Sequence, residues 1–414
     1  MRKLLIENIG LLATPEGAKP LRGGPQGRIV RVRDCAILIE DDAIAAILPM
    51  RECRGVDAER MDAGGRLVTP GLVDAHTHMV FGGWRQHELA RRLRGESYID
   101  ILKSGGGILS SMRETRRAGE SELYDKARGF ALEMLTRGVT SCEIKSGYGL
   151  DIDTELKQLR VARKIGRTLP LDVATTYLGA HAVPEAFEGG AAGYAAFVID
   201  EALPQIAESG LADFCDVFAE PGAFDLALSE AILDRAREYG LGLKLHADEL
   251  EPMGGGALAA RMSATSADHL AAASESSLRA LAASETCAVL LPQTSLYLDK
   301  PFANARRMIE LGIPVALATD FNPGSCPSNN LQLSMNLGLI KYRLTPEEIL
   351  SAVTLNAACA IGLGGKVGTL EAGKQADLVI WDAMDLEMLC YRVGSNLATH
   401  TIKKGRLNPR HEEI

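Results

Sequence analysis

The chain has no uncharged apolar stretch near the ~18 residues that cross a bilayer, so no membrane-spanning helix is expected. It also has no pair of cysteines spaced as C-x-x-C. Its eight cysteines, at 35, 53, 142, 215, 287, 326, 359 and 390, are scattered, several of them inside apolar runs. In a chain of 414 residues this pattern excludes a zinc ribbon. It points to reduced, mostly buried thiols in a cytoplasm rather than to a disulfide framework. The opening Met1-Arg-Lys-Leu-Leu-Ile-Glu-Asn8 is basic, but Glu7 and Asn8 interrupt its apolar run too early for a signal peptide. Positive charge is short as well. A net charge of -9 argues against nucleic acid and anionic membrane as partners, since both reward clustered Lys and Arg. An acidic chain can still hold a small acidic substrate through a local Arg. What remains is an ordinary globular composition, 46% hydrophobic and 24% charged, long enough for one large domain and a smaller one.

From about residue 68 to about 363, short apolar runs alternate with amphipathic stretches. Strand-like runs stand at Leu72-Val73, Gly138–Ile144, Leu171–Tyr177, Asp213–Phe218, Leu241–Leu245, Ser266–Asp268, Cys287–Leu291 and Pro314–Ala318. Helical patterns fill the gaps, among them Ser121–Thr136, Thr154–Gly166, Asp225–Tyr239 and Pro346–Ala360. Roughly eight β-then-α units over about 300 residues predict an α/β fold of the (β/α)8 barrel type. A doubly wound open sheet is the alternative, but no Gly-rich phosphate loop follows the first strand. The ends differ: Arg28–Val32, Cys35–Glu40, Ala43–Leu48 and Gly368–Asp382 read as strands and turns without a long helix. The expected division is a barrel over 67–363 and a small β-sandwich built from 1–66 and 364–414.

In a barrel, catalytic groups sit where strands end at the C-terminal face. Strand one runs into His76 and His78, strand three into His181, strand five into His246 and Glu249, strand six into His269 and strand eight into Asp320. Five of only eight histidines fall at these ends. A lone His there is more often structural, and a lone Asp is more often a turn former or helix cap. The combination is different. His76 and His78 at i and i+2 of an extended chain point the same way. A third His and a last-strand carboxylate then complete a site suited to Zn²⁺ or Fe²⁺. Such an ion lowers the pKa of a bound water to about 7 and turns it into a nucleophile. Glu249, three residues after His246, is placed to carry protons, and His269 and Asp320 to orient the water or share them. Arg85 offers a fork for a carboxylate, and Tyr148 lies between two glycines that allow close approach to a ligand.

Pro70-Gly-Leu-Val-Asp-Ala-His-Thr-His78, His246, His269, Asp320 and the closing Gly368-x-Leu-x-x-Gly-x-x-Ala-Asp377 together resemble the amidohydrolase superfamily over nearly the whole chain. Further stretches resemble the imidazolonepropionase family of histidine degradation in particular. They are Phe81-Gly-Gly-Trp-Arg85, Ser104-Gly-Gly-Gly-Ile108, Glu143-Ile-Lys-Ser-Gly-Tyr-Gly149, Leu178-Gly-Ala-His181, His246-Ala-Asp-Glu249 and Ala318-Thr-Asp-Phe-Asn-Pro-Gly-Ser325. The resemblance implies opening of the imidazolone ring of 4-imidazolone-5-propanoate to N-formimidoyl-L-glutamate. It implies His76, His78, His246 and Asp320 as ligands of one divalent metal, zinc or iron. Arg85, Tyr148, His181 and Glu249 would meet substrate, with Asn322, Gly324 and Ser325 lining the end that carries the product's glutamate part. Glu249, His269 and Asp320 would share the catalytic work.

Binuclear members of the superfamily are similar to one another in a bridging lysine at the end of strand four. Here that strand reads Asp213-Phe-Cys-Asp-Val-Phe-Ala-Glu220, without lysine. Lys145 follows strand two and Lys244 precedes His246, and neither obviously replaces it, so one metal is expected. The alternative enzyme is a nucleobase aminohydrolase with the same metal ligands, against which Arg85 and Tyr148 argue. A non-catalytic scaffold relative would be expected to have lost ligands, and all four are present. A homodimer is the default assembly.

Overall fold

The computed structural model describes residues 2–96, 101, 105–185 and 187–408. Its strands in chain order are β1 (Lys3–Thr14), β2 (Val30–Glu40), β3 (Ala43–Pro49), β4 (Glu59–Asp62), β5 (Leu67–Pro70), β6 (Leu72–Asp74), β7 (Val139–Lys145) and β8 (Asp172–Ala180). There follow β9 (Phe214–Ala219), β10 (Gly242–Ala247), β11 (Ser266–His269), β12 (Cys287–Leu290), β13 (Val315–Leu317), β14 (Leu378–Trp381), β15 (Ala398–Lys403) and β16 (Arg406–Leu407).

Strands β6 to β13 pair side by side in chain order, and every pairing between them is parallel. Most of their residues are buried on both faces, as expected where helices cover the outside of a parallel sheet. The ends of the sheet meet just beyond β6 and β13. Thr77 and Phe321 form a parallel bridge, His78 N–H donates to Phe321 O at 2.8 Å, and Asp320 N–H to His76 O at 3.0 Å. Asp74 adds a side-chain tie, its two oxygens accepting from Thr319 N–H at 3.0 Å and from Thr319 Oγ1 at 2.7 Å. This is the expected eight-stranded barrel, nearly closed.

The helices start where the sequence supplies caps. Asp151, Asp225 and Ser274 each accept a backbone N–H of the first turn, at Ile152–Thr168, Leu226–Glu238 and Glu275–Ala282. Such caps contribute about 1 kcal/mol each. One expected helix is two. Pro346–Ala360 breaks into Pro346–Ala352 and Leu355–Ala360 at Thr354, whose φ of -128° and ψ of -92° leave the helical region. The break frees the carbonyl of Val353 to accept from Val73 N–H of β6 at 2.8 Å. A strand's need for a partner outweighs helix continuity there.

The two chain ends meet in one mixed sheet, ordered β16-β15-β14-β5-β1-β2-β3 with β4 also on β1. Alternation along β1 divides its side chains: Leu4 and Ile6 face one apolar cluster, Leu5 a second. β5 joins the halves, parallel to β1 and antiparallel to β14. Gly71 then leads directly into β6, and a Cβ there would stand 2.2 Å from Thr140 Oγ1. The mixed sheet therefore anchors the strand that carries the two histidines.

Candidate active site

His76 and His78, just beyond β6, are buried and turned the same way, with Nε2 atoms 3.1 Å apart. Asp320 Oδ1 lies 3.4 Å from the first Nε2 and 3.6 Å from the second. His246 adds its ring from β10, centroids 4.6 Å and 5.6 Å from those of His76 and His78. Burial holds all three histidines well below the usual histidine range, so they are uncharged. His76 Nδ1 is 2.7 Å from Asp268 Oδ2, so Nδ1 carries the proton and Nε2 presents its lone pair. With the His78 proton likewise on Nδ1, which leaves both Nε2 atoms as metal donors, their lone pairs at 3.1 Å repel unless a cation lies between them. Donors about 2.0–2.1 Å from a tetrahedral ion stand roughly 3.3–3.4 Å apart, and the separations here, 3.1, 3.4 and 3.6 Å, bracket that value. His246 Nε2 is buried without a hydrogen-bond partner among the described residues, and its Nδ1 lies 2.9 Å from Asp216 Oδ2 without the alignment of a hydrogen bond. Asp320 Oδ2 accepts from Thr294 Oγ1 at 2.6 Å, which leaves Oδ1 facing the histidines. Three nitrogens and one oxygen fit one divalent metal ion.

Beneath this group lies a charged layer that the sequence did not assign. Lys145 Nζ stands 2.6 Å from Asp216, 3.1 Å from Glu143 and 3.3 Å from Asp268, all with fully buried side chains. Lys244 Nζ reaches Glu143 at 2.9 Å. Burial alone would lower the Lys145 pKa, but Asp216, Glu143 and Asp268 together raise it, so it is an ammonium ion. Glu143 and Lys145, like Lys244 and His246, are i and i+2 on one strand, the period that turns side chains into the barrel. That period was the available signal.

Glu249 and His269 face one another at 3.6 Å, Oε2 to Nε2. Burial raises the Glu249 carboxyl well above the usual range, with Asp320 and Glu220 adding to it. Burial pushes His269 down to about 4. A carboxyl with raised affinity for a proton thus lies beside a neutral imidazole. Glu220, at the end of β9, accepts from the backbone N–H groups of Glu249, Leu250 and Glu251 and so fixes the turn that carries Glu249. His269 and Asp320 have φ of 74° and 59°, uncommon for residues with a Cβ and typical of sites over-determined by their surroundings. A narrow cavity lined by Glu249, His269, Thr294 and Lys300 opens beside them.

The expected substrate contacts gather on the other side. The ring of His181 stacks on His78 at 5.2 Å, and Tyr148 lies 5.9 Å from His78 and 5.5 Å from His181. Burial pushes His181 down to about 4, and its Nδ1 lies 3.0 Å from Gly147 O, so its Nε2 is an acceptor. Glu155 accepts from the N–H groups of Gly147, Gly149 and Leu150, which holds the Tyr148 loop. Arg85 is buried, close enough to depress His181 electrostatically, and lies over Gly324, where a Cβ would meet its Nη1 at 2.1 Å. Asn322 Oδ1 accepts from Gly324, Ser325 and Cys326 N–H, so this carboxamide organises its own loop. Ser104, first residue of one quoted motif, lies outside the described residues.

The amidohydrolase family model matches residues 67–407. An imidazolonepropionase from Bacillus velezensis is 47% identical over 404 residues, 97% of this chain and 96% of the relative. The chain belongs to the amidohydrolase family, among the imidazolonepropionases. Another relative so named, from Caldanaerobacter subterraneus, is 46% identical over 401 residues, with the same coverage of both chains. Among solved amidohydrolase-type structures, an adenosine deaminase from Xanthomonas campestris with bound zinc superposes with a TM-score of 0.73 at 21% identity, covering 100% of this chain and 94% of that one. An atrazine chlorohydrolase from Arthrobacter aurescens with zinc and atraton gives 0.75 at 18%, covering 99% and 96%. At these identities the superpositions establish the shared fold.

Proposed function

We propose that this amidohydrolase opens the ring of 4-imidazolone-5-propanoate to give N-formimidoyl-L-glutamate. The observation that carries the reading is the position of Arg85, a buried cation for an acid tail on the side where His181 stacks on His78, next to the cluster of His76, His78 and His246 that Asp320 approaches. The relatives named imidazolonepropionase support it. His76, His78, His246 and Asp320 would hold one zinc or iron ion, which when bound activates water at neutral pH and polarises the carbonyl.

In the reaction, water adds its oxygen to the ring carbonyl carbon, the bond from that carbon to the ring nitrogen breaks, and the nitrogen leaves with a proton. Glu249, starting as the carboxylate, takes the proton from water and, as the acid so formed, delivers it to the nitrogen; burial strengthens its affinity for that proton. His269, neutral and 3.6 Å from Glu249, donates toward the carbonyl oxygen as charge develops on it. Asp320 shares the proton traffic. Arg85 pairs with the propanoate. Tyr148 and His181 flank the ring, and Asn322 shapes the turn whose Gly324 and Ser325 line the tail. The enzyme would work as a homodimer in the cytoplasm, for which its eight free cysteines are suited.

The test follows loss of the imidazolone ultraviolet absorbance by the metal-replete protein, with product identified by mass. Turnover is expected. An unchanged spectrum at high enzyme concentration overturns the reading.

A further inference from the structure

Arg85 is followed directly by a turn of helix, Gln86–Glu88, that returns Glu88 to it. Glu88 is 2% exposed, and its two carboxylate oxygens do different things. Oε2 accepts from Arg85 Nε at 3.2 Å. Oε1 accepts from Gly107 N–H at 2.6 Å. Gly107 is the N-cap of the ten-residue helix Ile108–Arg117, and its φ of 63° is a conformation glycine adopts without penalty. A carboxylate at that helix start is stabilised by the unpaired N–H groups of the first turn. A Cβ on the neighbouring Gly106 would collide with Ile101, at 2.7 Å from its Cγ2 and 2.9 Å from its O, and would also crowd Glu88 Oε1 at 3.1 Å. On the other side the guanidinium rests on Gly324.

We infer that Glu88 is a positioning residue that sets the enzyme's selectivity for a substrate with a carboxylate tail. It holds the Nε edge of Arg85 against the start of the Ile108–Arg117 helix, so that the guanidinium keeps one orientation toward the site. The inference rests on the reading of Arg85 as the partner of the propanoate. The physical reason is preorganisation. A planar guanidinium pairs with a carboxylate through two parallel hydrogen bonds only in one plane, and a clamp on Nε fixes that plane before substrate arrives. Glutamate is the side chain required. In Glu88→Gln one amide position can still accept, from Gly107 or from Arg85, but the other presents N–H to a donor.

The experiment measures kcat and KM for 4-imidazolone-5-propanoate in wild type, Glu88→Gln, Arg85→Met and the double variant, with metal content and melting temperature recorded for each. Loss of a hydrogen bond between charged groups predicts a KM raised roughly ten- to hundredfold in Glu88→Gln, with kcat nearly retained because tail binding is the same in ground and transition states. In the Arg85→Met background the Glu88→Gln change should add little further, since its effect passes through the arginine. A fall in kcat at wild-type KM, or an equal effect of Glu88→Gln with and without Arg85, overturns the proposal. A raised KM in Arg85→Met beside a wild-type KM in Glu88→Gln overturns it alone. A wild-type KM in Arg85→Met overturns the reading of Arg85 and the proposal with it. Should Glu88→Gln fail to fold, Glu88→Asp keeps the charge but is one methylene too short for both partners. It is expected to raise KM, and a wild-type KM there refutes the clamp.

Discussion

Lys145 donates a 2.6 Å hydrogen bond to Asp216 at the floor of the site, and neither side chain reaches solvent. With Glu143 and Asp268 also within 3.3 Å, the ammonium offsets part of the charge of the carboxylates that flank His76 and His246 from below. The chain thus carries its own cation beside the metal-type donors. Purified active enzyme should therefore retain one metal equivalent per chain, measured by elemental analysis against protein concentration. Two retained equivalents would contradict this. Replacing Lys145 by Met leaves buried carboxylates uncompensated, and removing one partner of a buried ion pair costs about 3–5 kcal/mol. A urea midpoint close to wild type would show that the layer relaxes, or admits another cation.

Glu249→Gln should lower kcat about 10²- to 10⁴-fold, the range for a positioned proton carrier, while metal content stays at wild-type level. The amide keeps the size of the side chain, and Glu220 still holds the backbone of residues 249–251. An active Glu249→Gln enzyme refutes the assignment. A loss of metal would instead place Glu249 among the ligands.

Much of the site was legible because strand geometry is periodic. His76 and His78 could be read as a pair from two-residue alternation alone, and His246, His269 and Asp320 from the ends of apolar runs. The charged layer was not. The two-residue period turns Glu143 and Lys145 into the barrel but does not name their partners, and Lys145 on β7 meets Asp216 on β9 and Asp268 on β11 only through the fold of the barrel. Glu220 and Glu155 were hidden for a related reason, since both act on backbone N–H groups, which every sequence has. The helix expected over Pro346–Ala360 failed at Thr354, where a carbonyl needed by β6 decides the local conformation.

The pH dependence of stability has a definite sign at His269. Its pKa falls from 6.5 to about 4 on folding, because burial disfavours the charged ring. Below pH 6.5 the unfolded chain gains a proton there and the folded one does not. The contribution is therefore complete above about pH 6.5 and is lost as pH falls toward 4. Such a shift corresponds to roughly 3 kcal/mol. His269→Gln removes the term. The stability difference between wild type and variant should then shift against wild type by about 2–3 kcal/mol from pH 7.5 to 4.5, read from urea midpoints at the two values. A difference independent of pH would mean that His269 titrates alike in both states.

Gly324→Ala tests the seat of Arg85 from the opposite side. A Cβ at 324 would lie 2.1 Å from Arg85 Nη1 and 2.4 Å from its Cζ, distances no real contact tolerates, so one of the two must move. The loop is the stiffer element. Asn322 Oδ1 holds the N–H groups of Gly324, Ser325 and Cys326, and Asn322 Nδ2 donates to Asp320 O at 2.7 Å. The guanidinium, at the far end of a flexible chain, is displaced instead. The expected result is a KM for the propanoate substrate raised by roughly tenfold or more, the cost of one lost charged hydrogen bond. kcat and metal content should change little, because His76 is held by Asp268 and Asp320 Oδ2 by Thr294, contacts outside this loop. If Gly324→Ala instead loses metal at unchanged KM, the strain has passed through Asn322 to Asp320. The loop would then belong to the metal's support rather than to the recognition of the tail.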